Sequence, residues 1–146
     1  MSTASASVEI AASLAEVWEY YFDPRGWPAW VDGFDRVAAS EGYPETGGSL
    51  RWRSIPAGRG EVTENVLEHE PRRLHRVAFR DPMMAGELRT SFAIAGEATR
   101  VVQELDYGRA RRGPFAWLTD RLFIRSQVQG SLERSLSRLK LEVEEE

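Results

Sequence analysis

The chain has no cysteine, which removes disulfide staples, thiolate nucleophiles and cysteine metal sites together. That absence fits a reducing compartment, and cytoplasm is the expected location. An excess of positive charge is missing too: the net charge is -4 and the isoelectric point near 5.3, so no concentrated basic surface is left over for a phosphate backbone. Nowhere does an uncharged stretch approach the roughly 20 residues that span a bilayer. The opening "MSTASASVEI" has neither the basic start nor the apolar run of an export signal.

Several catalytic signatures are absent as well. "HEPRRLH", His69 to His75, is superficially close to a zinc-protease motif. Its second histidine falls too far along, and Pro71 denies the continuous helix that would put both imidazoles on one face. "GRGEVT" lacks the third glycine and the following helix of a dinucleotide loop. There is no nucleophile elbow, phosphate loop or calcium loop. No cofactor or metal is expected. Carboxylates at Glu64 and Glu68, and at Glu104 and Asp106, share strand faces and read as solvated surface. "RARRG", Arg109 to Gly113, reads as a solvated basic turn.

What is present is patterning. The 146 residues suffice for one domain, expected to be 1–146. "SVEI" alternates Val8 and Ile10 with polar neighbours, the period of a half-buried strand. Ser13 and Glu16 form a capping box, and Leu14, Val17, Trp18 and Tyr21 then recur on one helical face. Asp23 and Pro24 end that helix and start a second short one, in which Trp27, Trp30, Val31 and Phe34 again follow helical spacing. The two tryptophans and Phe34 are expected to pack as core mass.

From Arg36 to Arg109 six strand-like runs alternate with short turn sequences such as "PETGG", "PAGRG" and "PRR". Loops that short force an antiparallel meander with one dry face. Its inward residues are Leu50 and Trp52; His75, Val77 and Phe79; Leu88, Thr90, Phe92 and Ile94; and Val101, Gln103, Leu105 and Tyr107. From Phe115 to about Glu144 runs one long helix. Phe115, Leu118, Leu122, Leu132, Leu136, Leu139 and Val143 form its apolar stripe. Arg125 and Gln129 interrupt that stripe, and a buried guanidinium without a partner is costly.

The order resembles the SRPBCC superfamily, which includes START lipid-transfer domains, birch-pollen-type allergens and polyketide cyclase/dehydrase-like proteins. The resemblance is carried by "VEIAASLAEVWEYYFDPRGWPAWV" at Val8 to Val31, "EHEPRRL" at Glu68 to Leu74 and "SLERSLSRLKLEVE" at Ser131 to Glu144. It implies an α+β helix-grip fold: a curved antiparallel seven-stranded sheet wrapped around a long C-terminal helix, with two short helices after the first strand. The implied function is binding of a small hydrophobic, lipid-like or polyketide-like ligand between sheet and helix. An enzyme resembling polyketide cyclase/dehydrases, and a protein-interaction module, are the alternatives, since fold does not fix chemistry.

The expected cavity residues are Trp52, His75, Val77, Phe79, Thr90, Phe92, Gln103, Leu105, Tyr107, Leu122, Arg125 and Gln129. If the cavity is catalytic, His75, Tyr107 and Arg125 are the candidates for proton transfer or carbonyl polarisation. A cavity histidine at its ordinary pKa, about 6.5, would make binding pH-dependent there. The expected partner is a small hydrophobic molecule, with no nucleic acid and no membrane span; a homodimer is left open.

Overall fold

The computed structural model describes residues 2–109 and 116–145; the side chains of residues 109–123 lie outside the described set. The basic "RARRG" turn and the side chains of Phe115, Leu118 and Leu122 therefore fall outside it.

Strand β1 (Ser2–Ile10) is followed by helix α1 (Leu14–Tyr21), a single 3-10 turn (Pro24–Gly26) and the one-turn helix α2 (Trp27–Trp30). The Ser13 side chain caps α1 by accepting from the Glu16 N–H at 3.2 Å. Asp23 caps the next turn, with Pro24 at its first position, where no N–H is needed. Strands β2 (Phe34–Glu41), β3 (Ser49–Ser54), β4 (Glu61–Glu70), β5 (Leu74–Arg80), β6 (Met84–Ala95) and β7 (Ala98–Arg109) follow, then helix α3 (Ala116–Glu144). Among the described residues the strands form one antiparallel sheet in the order β1-β7-β6-β5-β4-β3-β2. This is the expected helix-grip architecture.

The inward parity holds for Leu50, Trp52, His75, Val77, Phe79, Thr90, Phe92, Val101, Gln103, Leu105 and Tyr107, all buried. Ile94 departs from it at 72% exposed, although Thr99, its partner beside the β6–β7 turn, is buried. Bulges bend the sheet, twice in β2 and once in β4 between Val66 and Glu68.

Helix α3 lays Val128, Leu132, Leu136, Leu139 and Val143 on the sheet. Among the described side chains, Ile124 and Val128 carry the apolar face ahead of Leu132, while Arg125, expected on the stripe's line, is exposed. A straight extrapolation at 100° per residue accumulates error over several turns, and the surface beneath the helix twists. Two apolar clusters result. One joins Tyr21, Trp27, Trp30, Phe34, Trp52 and Phe92 to Leu136 and Leu139. The other joins Phe79, Leu105 and Tyr107 to Val128 and Leu132. Among the described residues no helix is long and apolar enough to cross a membrane.

Candidate functional site

A cavity of about 90 Å³ lies in the first cluster. Its walls are Tyr21 from α1, Trp27 and Trp30 from α2, Val31 and Phe34 beyond it, and Tyr43 from the β2–β3 turn. Leu50, Trp52, Glu64, His75 and Gln103 from the sheet and Ser135 from α3 complete it. Trp27, Trp30 and Phe34, expected as core mass, thus supply both core mass and one wall of a hollow. Trp27 donates its indole N–H to the Tyr21 carbonyl at 2.8 Å. The indole N–H of Trp30, equally buried, has no acceptor among the described residues.

Polar groups enter this wall in three chains. Gln103 Nε2 donates to Tyr21 Oη at 3.0 Å, and Tyr21 Oη meets Thr90 Oγ1 at 2.9 Å. Burial pushes the Tyr21 phenol up to about 12, against the hydrogen bonds of Thr90 and Gln103. The Trp52 indole N–H donates to Glu64 Oε2 at 3.0 Å. Glu64 keeps some accessible surface, but it lines the cavity, and its carboxyl is desolvated. Burial raises its pKa, with the Trp52 hydrogen bond and the charge of Arg59 pulling the other way. The third chain runs from Tyr43 Oη to His75 Nε2 at 3.2 Å, and from His75 Nδ1 to His69 Nδ1 at 3.0 Å.

His75 is turned inward as its strand parity requires, but its pKa is lowered to about 3, by burial first and by His69 second. The expectation that it titrates near 6.5 is therefore corrected: the imidazole is neutral across the physiological range. Burial also raises the Tyr43 hydroxyl well above its ordinary value, helped by Glu64 and Tyr21, so it keeps its proton.

Of the expected site residues, Trp52, His75 and Gln103 line the cavity, and Thr90 stands behind Tyr21. Phe92 packs edge-on against Trp18 and Tyr21. Val77 is buried, and Phe79, Leu105 and Tyr107 fill the second cluster; none of these four lines the cavity. The Tyr107 hydroxyl is buried without a partner among the described residues. Leu122 lies outside the described side chains. Arg125 and Gln129 do not face the cavity. They border a larger cleft of about 620 Å³ along the β1 edge, with Thr3, Ser5, Glu104 and Asp106. Gln129 is held there by donating to the Ser5 carbonyl at 2.7 Å and to Glu133. That cleft has charged, largely exposed walls, whereas the smaller cavity holds the desolvated groups.

Reading the sequence by face missed Glu64, Tyr21 and Tyr43. Glu64 shares its parity with Val62 and Val66, both buried, which was the available sign. The β4 bulge separates it from Glu68, which turns outward to accept from Arg76 at 2.9 Å. The two carboxylates therefore do not share a face. Among the described residues no group of three or more acidic or histidine side chains is placed to hold a metal ion.

A sheet curved over a long helix, with a small hollow closed by two short helices, is matched by sequence as well. Residues 1–144 match the family described as polyketide cyclase / dehydrase and lipid transport. The chain belongs to that family. Membership supports a ligand-binding or cyclase role without specifying a ligand. Among solved structures, a protein of Thermus thermophilus is 22% identical, with 97% of each chain covered and a TM-score of 0.74. An uncharacterized protein of Rhizobium leguminosarum is 17% identical over 99% of this chain and 95% of that one, with a TM-score of 0.75. Truncated norcoclaurine synthase of Thalictrum flavum is 17% identical over 97% and 94%, with a TM-score of 0.68. At such identities these likenesses show the fold. No curated protein sequence matches the chain.

Proposed function

We propose that the protein binds a small hydrophobic, largely flat molecule carrying a hydrogen-bond acceptor, a carbonyl above all, in the cavity between sheet and helix. The observation that carries this reading is the Trp30 indole N–H, buried in an aromatic wall with no acceptor among the described residues. A buried donor without a partner costs roughly 1–3 kcal/mol. A ligand oxygen that accepted this N–H would recover that cost on binding. Size narrows the class: an apolar cavity of about 150 Å³ takes one benzene, so at about 90 Å³ the hollow takes a ring only if Trp30 or its neighbours shift. A long polyketide-like chain would require wider opening.

A second reading, a polyketide cyclase/dehydrase-like enzyme, is favoured by one arrangement. A carboxyl with a raised pKa (Glu64), a phenol (Tyr43) and a neutral imidazole (His75) stand in the same wall, and these are groups that donate or accept protons at a carbonyl compound.

Titration with 2-acetylnaphthalene and with 2-ethylnaphthalene, followed by tryptophan fluorescence, separates acceptor from bulk. The expected result is saturable binding of both, the ketone more tightly. Trp30→Phe should weaken the ketone about 2- to 10-fold, the worth of one neutral hydrogen bond, and leave the hydrocarbon unchanged. Absence of saturable binding, joined to native mass spectra of freshly purified protein free of any bound small molecule, overturns the reading.

A further inference from the structure

His69 and His75 face one another because of the β4 bulge. Val66 pairs with Val77, and Glu68, not Leu67, pairs with Arg76. The extra residue reverses the parity of the strand beyond it. His69 therefore lies directly opposite His75 on the inner face, with ring centroids 5.1 Å apart and planes nearly perpendicular. Trp18 and Phe22 pack against the His69 ring at 5.1 and 5.2 Å. The ring is part-exposed, and its Nε2 makes no hydrogen bond to a described residue, while its Nδ1 is committed to His75. His75 is enclosed, and beyond it Tyr43 lines the cavity. An unbroken line of hydrogen bonds thus joins a ring at the surface to a hydroxyl on the cavity wall.

We propose that His69 is the proton port of the cavity, and that its protonation is relayed through the His75 imidazole to fix the direction of the Tyr43 hydroxyl and to deliver a proton to an oxygen of a bound carbonyl compound. The proposal rests on the binding reading for its last step only. Two ring nitrogens 3.0 Å apart share one proton between them. When His69 is an imidazolium both of its nitrogens carry hydrogen, so Nδ1 must donate to His75 Nδ1. Neutral His75 then carries its own proton on Nε2 and donates it to Tyr43 Oη, which leaves the Tyr43 O–H free to point into the cavity. When His69 is neutral with its proton on Nε2, every bond in the line reverses, and Tyr43 donates to His75 instead.

The transfer balances. Tyr43 gives its proton to an enolate oxygen, forming the enol; Tyr43 takes the Nε2 proton of His75; His75 takes at Nδ1 the Nδ1 proton of His69. Three N–H or O–H bonds break and three form. His69 ends neutral and His75 ends as its other neutral tautomer, with no charge left in the interior. Run backwards, the line carries a proton from ligand to His69. Burial lowers the pKa of His69, opposed by the charge of Glu45. The neighbouring carboxylates on its own strand are engaged elsewhere, Glu68 with Arg76 and Glu70 with Arg73. At the far end Glu64 and Tyr21 are the titratable groups that influence Tyr43. The low pKa of His75 keeps it a relay and not a resting place for charge.

The test is the tautomeric state of both imidazoles, read by ¹⁵N chemical shifts of histidine-labelled full-length protein from pH 8 downward, with native backbone amide spectra as the control for folding. The expected result is a His75 that stays neutral and moves fully to the Nε2–H form as His69 becomes charged, with a pH-independent His75 tautomer in His69→Gln. A His75 tautomer that ignores the titration of His69, or a His75 that itself becomes charged in step with it, overturns the proposal. The cavity end is read separately with 2-acetylnaphthalene. Its affinity should rise about fivefold as His69 protonates, the worth of one hydrogen bond gained. That rise should vanish in both His69→Gln and Tyr43→Phe. A rise that persists in either variant refutes the relay, whereas a ketone that binds at no pH refutes the binding reading and leaves the tautomer result to decide the line itself.

Discussion

At the scale of the residue, His75 ties the site to the stability of the fold. Its pKa falls from 6.5 to about 3 on folding, so between those values the unfolded chain binds more protons than the folded one. Stability then rises with pH across that window. The contribution is fully present above pH 6.5 and is lost as the pH falls toward 3. At 1.36 kcal/mol per pKa unit, lowering the pH from 7 to 4 removes about 3 kcal/mol through this group. Glu64 opposes it: its raised pKa stabilises the folded state at low pH, and that stabilisation is lost as the pH rises through the folded value. Urea denaturation of wild type and His75→Gln at a series of pH values separates the two. The variant should lose about 3 kcal/mol less than wild type over the same interval, and parallel curves would remove His75 as the cause. The inward place of His75 was legible from its parity with Val77 and Phe79. Its neutrality was not, because the fall in pKa comes from enclosure by Phe22, Tyr43 and His69, which come from other elements.

At the scale of the element, period two and short turns carried the whole sheet, since each strand has one covered and one wet face. The site inside it was less readable. Glu64 kept the parity of its strand, yet charged strand residues are mostly solvated, and the Trp52 N–H that makes its burial tolerable is on the neighbouring strand. Tyr43 sits in a turn, where no periodicity reports which way a side chain faces. The fit of α3 to the rest turns on a junction that sequence spacing could not show. The Asp32 N–H, just beyond α2, donates to the Ser135 hydroxyl at 2.9 Å, while its carboxylate takes Arg134 and Arg138 at 3.0 and 3.2 Å. Ser135 is buried; both arginines are about half exposed. Exposed ion pairs are worth roughly 0–1 kcal/mol, whereas a buried donor left without its acceptor costs roughly 1–3 kcal/mol, and the part-buried Asp32 N–H falls toward the lower end of that range. Ser135→Ala should therefore destabilise by about 1–2 kcal/mol and Arg138→Ala by less than about 0.5 kcal/mol in chemical denaturation. The reverse ranking would mean that charge, and not the hydrogen bond, holds the two helices together.

At the scale of the whole molecule, the two apolar clusters divide the labour. The one around Trp30, Trp52 and Leu136 contains the hollow, and Phe79, Leu105, Val128 and Leu132 of the other lie away from its walls. Enlarging a side chain in a filled core forces strain of roughly 1–3 kcal/mol. Enlarging one beside a real void supplies contacts that the void lacks, and can stabilise. Leu50 is buried on the cavity wall and belongs to the first cluster. Leu50→Phe should leave the melting temperature unchanged or raise it by a few degrees, while abolishing saturable binding of 2-acetylnaphthalene. Leu105 is the control: it lies in the second cluster and does not line the hollow, so Leu105→Phe should leave binding of the ketone intact in the folded protein. A destabilised Leu50→Phe that still binds the ketone would show that the hollow is closed in solution and that the ligand sits elsewhere. A stabilised variant that no longer binds would place ligand and void in the same space, because only a side chain that occupies the site can both improve packing and exclude the guest.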